Sequence, residues 1–136
     1  MKIETKGIFF LLLLITTCNY NVFPQDSRLM GKWVNNEDYS DINYIEFKNE
    51  NIVLLFQGEK QSPPFVFITD FTKEPVWINM KVEENGIEAK ILGLLHFINP
   101  DKIKIEFFYG EFEEQPTDFS LNKNSQSQLY IFNRLK

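Results

Sequence analysis

His96 is the only histidine in this 136-residue chain, and Cys18 is the only cysteine. Those two residue types supply most protein nucleophiles, general bases and transition-metal ligands, so one of each narrows the chemistry at once. His96 lies in the apolar run Leu94-Leu95-His96-Phe97-Ile98, and no Asp, Glu or Cys stands at a zinc-ligand spacing from it. A general base at a barrel mouth is one role for it. A strand histidine with its ring at the surface or hydrogen-bonded is the favoured alternative. Cys18 ends an N-terminal apolar segment and has no catalytic context, and no Gly-x-Ser-x-Gly occurs. Acidic side chains cluster twice, as Glu37, Asp38 and Asp41 and as Glu111, Glu113, Glu114 and Asp118. Neither cluster has the glycine and ligand periodicity of a calcium loop, so both read as solvated loops. Catalysis, a metal and a cofactor are therefore not expected.

The N-terminus reads as an export signal. Lys2 and Lys6 precede an apolar and hydroxyl run from Gly7 to Thr17. That run is too short to span a bilayer, which takes roughly 20 residues, and it suits the h-region of a secretory signal. Cys18 stands where a lipoprotein cysteine would, although Thr17 is a poor residue before it. The alternative is an ordinary signal cleavage between Thr17 and Asp26. Residues 1–18 are thus assigned to a signal peptide, 19–27 to a linker containing Pro24, and 28–136 to one domain. Without residues 1–18 the chain loses Lys2, Lys6 and Glu4, leaving 12 basic and 18 acidic side chains, net −6. That balance argues against nucleic acid or anionic lipid as a partner. With no second cysteine, packing alone must hold the exported domain together.

Fourteen Phe, five Tyr and two Trp supply a large core. Short alternating segments recur along the domain. They are Met30–Asn35, Asn43–Lys48, Ile52–Gln57, Phe65–Phe71, Val76–Val82, Ile87–Asn99, Lys102–Tyr109, Phe119–Leu121 and Gln128–Arg134. Asn85-Gly86 suits a type I′ hairpin. Pro63-Pro64 excludes a central strand at that point. Arg28 opens a short helical turn capped by Ser27. In Ile87–Asn99 the apolar parity changes near Gly93, which predicts a bulge or bend there. Lys102–Tyr109 alternates cleanly, with Ile103, Ile105 and Phe107 on a buried face and Lys104, Glu106 and Phe108 on a wet one. The class is all-β: an antiparallel up-and-down barrel of about eight strands.

Gly31-Lys32-Trp33 near the start and Arg134 near the end resemble the barrel closure of lipocalins and related calycins. There, a strand-one tryptophan is covered by a basic residue from the last strand, a contact worth roughly 0.5–2 kcal/mol. Pro75-Val76-Trp77-Ile78-Asn79, Gly93-Leu94-Leu95, Asp101-Lys102-Ile103 and Gln115-Pro116-Thr117-Asp118-Phe119 follow in order. Together they resemble a family of small secreted bacterial lipocalin-like domains. Asn79 or its neighbour stands where that family has Asp, Leu94-Leu95 replaces Ile-Tyr, and Gln115 replaces an Arg. The resemblance implies a barrel closed by Gly31, Trp33 and Arg134, and no established activity.

A barrel of this kind suggests a small apolar ligand held by Phe67, Trp77, Phe97 and Phe107. Aromatic residues that simply fill the core are the competing reading. Two functions follow: an exported, monomeric module binding a small hydrophobic ligand, or an envelope-associated interaction module without a cavity ligand, tethered as a lipoprotein through Cys18 or carried by a surface patch including Trp77. In both, membrane contact runs only through a lipid on Cys18.

Overall fold

The computed structural model describes residues 27–37, 40–109, 114–120 and 126–136. Residues 1–26, with the expected signal segment, Cys18 and most of the expected linker, lie outside the described residues, as do Asp38, Glu111 and Glu113. Nine strands form one antiparallel sheet: β1 (Gly31–Val34), β2 (Tyr44–Lys48), β3 (Ile52–Gln57), β4 (Lys60–Gln61), β5 (Phe65–Asp70), β6 (Val76–Glu84), β7 (Ile87–Asn99), β8 (Lys102–Phe108) and β9 (Ser127–Arg134). Eight of them run in sequence order round the sheet, and β1 pairs with β9 to close it. β4 is a two-residue return onto β3, outside the ring. The expected up-and-down barrel of eight strands is therefore the fold.

Strict alternation makes the core. Trp33, Ile45, Phe47, Val53, Phe67, Ile78, Met80, Leu95, Ile103, Ile105, Phe107, Tyr130 and Phe132 point inward and are at most 3% exposed. Burying a large aliphatic or aromatic side chain is worth about 1.5–3 kcal/mol, so a set this size holds the domain without a disulfide. The Asn85-Gly86 turn forms as expected, both residues having positive φ.

The details differ from the sequence reading in four places. Residues 27–29 form a single hydrogen-bonded turn, Met30 N–H to the Ser27 carbonyl at 3.3 Å, and not a helix. Phe119 and Ser120 are not in a strand, and Leu121 lies outside the described residues. The β6–β7 register runs through Gly93 without a shift; the irregularity falls later, between Phe97 and Asn99 in the β7–β8 pairing. Gly93 answers to space instead, since a Cβ there would lie 2.6 Å from the Ile78 carbonyl oxygen. Finally, the outer face of β8 is not wet. Glu106 is 1% and Phe108 3% exposed, and outward-facing Leu94 on β7 is fully buried.

Segment 114–120 accounts for that last difference, because it ties back onto the outside of the barrel. Gln115 accepts a hydrogen bond from Asn79 Nδ2 at 2.8 Å. The Lys104 ammonium lies 4.3 Å from the Phe119 ring centre. Glu106 accepts from the Ser120 N–H at 2.9 Å, from the Ser120 hydroxyl, and from the Ser127 hydroxyl at 2.6 Å. A buried carboxylate is tolerable only when donors surround it in this way.

Candidate functional site

The two ends of the barrel differ in kind. At one end the Arg134 guanidinium lies 4.2 Å from the Trp33 ring centre. Its Nη1 donates to the Met30 carbonyl at 2.9 Å, its Nη2 to the carbonyls of Arg28 and Pro100, and its Nε to Asp101 at 3.1 Å. Trp33 Nε1 donates to the Leu29 carbonyl at 2.9 Å. Gly31 sits at φ +110°, with Arg134 Nη1 3.9 Å from where a Cβ would be. Beside them Arg28 covers Phe71 and Phe97, which stack on each other with centres 6.4 Å apart. This end is sealed. Asp101 accepts from Lys136 and Arg134, and those bonds hold its carboxyl below the usual range against the opposing effect of partial burial.

The opposite end is the mouth. Inside it, Tyr130 donates to Asp41 Oδ1 at 2.7 Å, and its hydroxyl lies 3.0 Å from that of Tyr109. Burial pushes the Tyr130 phenol well above its ordinary value, and the bonds to Tyr109 and Asp41 add to the rise. Tyr109 is raised by burial too, and its hydrogen bond with Tyr130 only partly offsets this. The β1–β2 loop folds over this end through Ile42, which is 7% exposed. The loop is braced by Asn35, whose Nδ2 donates to Ser40 Oγ and whose Oδ1 accepts from the Glu37 N–H. Between this loop and the β3–β4 return lies a recess of about 210 Å³, lined by Asp41, Ile42, Leu55, Phe56, Gln57, Lys60, Gln61 and Ser62. Beyond it the β6–β7 hairpin projects, turning Val82, Ile87, Ala89 and Ile91 to the concave side and Lys81, Glu83, Glu88 and Lys90 to the convex side.

The four residues expected to hold a ligand do not converge. Phe67 and Phe107 are core, Phe67 packing edge-on to Phe47 at 5.2 Å and Phe107 against Tyr130 at 5.8 Å. Phe97 lies at the sealed end under Arg28. Trp77 is outside the barrel, half-buried beneath the Lys73 ammonium at 5.1 Å. The barrel-closing set of Gly31, Trp33 and Arg134 does come together. His96 is on the outer surface, its Nδ1 2.8 Å from Glu74 Oε1. Among the described residues no group of three or more His, Cys, Asp or Glu side chains could hold a metal ion.

Sequence reasoning missed the Asp41–Tyr130–Tyr109 chain. Its members come from a loop, the residue after β8 and the middle of β9, 89 residues apart for the first pair. The one available signal was a tyrosine at an inward position of β9 beside Phe132. The fold thus defines an eight-stranded antiparallel barrel with one sealed and one polar-lined end. No family model, curated protein or solved structure matches the chain.

Proposed function

We propose that this is an exported, lipocalin-like binding barrel without catalytic activity, whose ligand sits at the mouth and not in the interior. The observation that carries the reading is the asymmetry between the ends. The interior positions are filled and one end is stapled shut, so the mouth is where a recess, an exposed tyrosine and an apolar hairpin face occur together. A recess of about 210 Å³ is below the roughly 300–1,000 Å³ of sites that enclose a drug-sized ligand. It suits one end of a small amphiphile, whose apolar part would lie along Val82, Ala89 and Ile91 and whose polar head would meet Tyr109 and Asp41.

Lipocalin-like kinship is supported by the stacked Trp33–Arg134 pair and by a second geometry. Asn79 and Gln115 stand where the resembling family has an acid and an arginine, and they are hydrogen-bonded to each other at 2.8 Å. Two departures that look independent along the chain thus touch each other in the fold, as a neutral pair. Export rests on the Lys2–Thr17 segment, with Cys18 as the residue that would carry a lipid.

The test is a residue-resolved NMR titration with decanoate as the probe. Saturable shifts centred on Asp41, Ile42, Tyr109 and Tyr130, weakened by Tyr130→Phe, are expected. Shifts centred on Phe67 and Phe107 would return the site to the interior. No saturable shift at all would favour the reading without a cavity ligand, which the filled interior also supports.

A further inference from the structure

The strand register assembles a surface that the linear sequence hides. Lys48 stands opposite Ile52, Ile52 opposite Val66, Val66 opposite Lys81, and Lys81 opposite Lys90. All five alternate with core residues, so they form one row across five strands on the outside of the barrel. In the next rows toward the sealed end come Ile68, opposite Asn79, and Trp77, opposite Asp70. Ile68 is 66% and Val66 39% exposed. Lys73 reaches over the Trp77 ring from the β5–β6 turn. The result is an aliphatic and indole patch ringed by Lys48, Lys73, Lys81 and Lys90, all exposed. Glu46, Asp70 and the Glu83–Glu88 pair bound it.

Two features show that this is not an ordinary solvated face. Lys81 and Lys90 are directly opposed like charges, an arrangement that costs stability in a sheet, and neither forms a salt bridge among the described residues. Ile68 and Val66 expose β-branched side chains in the midst of that charge. We propose that this patch docks on an anionic lipid surface, with Trp77 and Ile68 entering the interfacial layer and the lysines meeting the headgroups.

Composition selects this occupant. A second copy would set the lysine row against itself. A protein partner is disfavoured because protein interfaces deplete Lys and under-use Val as an anchor. Lysines that extend their charged heads past apolar stems, together with an interfacial tryptophan, match a headgroup layer. The domain's more distant carboxylates do not forbid contact, because charges farther away than about 8 Å are largely screened at physiological salt. Glu46, Asp70, Glu83 and Glu88 at its border offset part of the lysine charge, so docking should need a high fraction of anionic lipid. The contact would add to any lipid on Cys18, and it does not depend on the ligand proposed for the mouth.

Trp77 provides the readout, since no tryptophan precedes Trp33 and Trp33 is fully buried. The full chain would be titrated with vesicles of phosphatidylglycerol and phosphatidylcholine carrying brominated acyl chains. Saturable quenching is expected on the anionic vesicles and not on phosphatidylcholine alone. The triple variant Lys48→Gln, Lys81→Gln, Lys90→Gln should bind on the order of 100-fold more weakly, at about fivefold per lysine. Its melting temperature should be equal or higher, because the Lys81–Lys90 repulsion is gone. Ile68→Ser should bind several-fold more weakly at unchanged net charge. Equal quenching on neutral vesicles, or a triple variant that binds like the parent, overturns the proposal. Displacement from the vesicles by polyglutamate that itself binds stoichiometrically would assign the patch to an acidic polypeptide instead.

Discussion

The sealed end and the mouth are built from the same strands by opposite means. At the sealed end one guanidinium gathers three backbone carbonyls from two separate segments and lies over an indole, so charge, hydrogen bonding and dispersion converge on Arg134 and Trp33. At the mouth the polar groups are neutral tyrosines, Tyr130 donating to the Asp41 carboxylate, which on its other side lines the recess. An up-and-down barrel has two openings by construction. Here the one holding the first turn of the domain is pinned by Arg134, and the other carries a recess.

That contrast predicts a steep gradient in mutational cost. Trp33→Ala removes a fully buried indole from the sealed end and should cost about 3–5 kcal/mol, as large-to-small core changes do. Urea unfolding with an unchanged m-value would measure it. A cost below about 1 kcal/mol would mean that the end is not sealed by this residue.

Arg134→Ala should come next, at about 2–3 kcal/mol, from loss of the stacked cation and of donors to carbonyls that would then lack them. Arg134→Lys should recover less than half of that loss, because an ammonium cannot reproduce the planar fork. If Arg134→Ala leaves the melting temperature unchanged, the proposed difference between the ends disappears.

The mouth should answer to alkali. The folded-state value of Tyr130 is raised above its unfolded value by burial first and then by the bonds to Tyr109 and Asp41. Its contribution is therefore complete below about pH 10 and is lost as pH rises further, at about 1.4 kcal/mol per pH unit. Tyr130→Phe should flatten the fall in stability between pH 10 and 11.5. An unaltered alkaline slope in Tyr130→Phe would place the sensitive group elsewhere.

The wall between the ends gives a smaller effect. Asn79 and Gln115 should couple by about 0.5–1 kcal/mol in a double-mutant cycle to alanine, the range for a neutral, partly buried hydrogen bond. Replacing them together by Asp and Arg should preserve the fold, as substitution of one polar pair by another would. Asn79→Asp alone should destabilise it.

How far the sequence revealed these features depended on whether each was local. Gly31-Lys32-Trp33 with Arg134, the Asn85-Gly86 turn and the inward parity of Ile103, Ile105 and Phe107 were all legible, because each rests on period-two alternation or on a short motif. The outer cover was not. Leu94, Glu106 and Phe108 stand on the face that alternation assigns to water, and only segment 114–120 folding back makes them buried. Phe108 on an otherwise polar face was the available hint. Gly93 was correctly singled out and given the wrong reason, since close approach of the Ile78 carbonyl leaves no trace in apolar parity. Trp77 was expected to share a ligand with Phe67 and Phe107 and lies outside the barrel instead; its lysine neighbours come from its own strand, two other strands and a turn, and only the register assembles them.

The sealed end should show its own, weaker titration, of opposite sign. Asp101 is held below its ordinary value by the hydrogen bond from Lys136 first, with Arg134 adding to it. A carboxylate lowered in the fold contributes stability above its unfolded value near pH 3.9, and that contribution is lost as pH falls through the folded value. Asp70 belongs to the same acid arm, lowered by the Thr72 hydroxyl and N–H, so Asp101→Asn should remove only part of it. The variant should lose less of its melting temperature than the parent between pH 5 and 3 and should behave like the parent at pH 11, whereas Tyr130→Phe should do the reverse. If both variants changed both limbs, the two ends would titrate as one cooperative unit and the division between a sealed end and a mouth would fail.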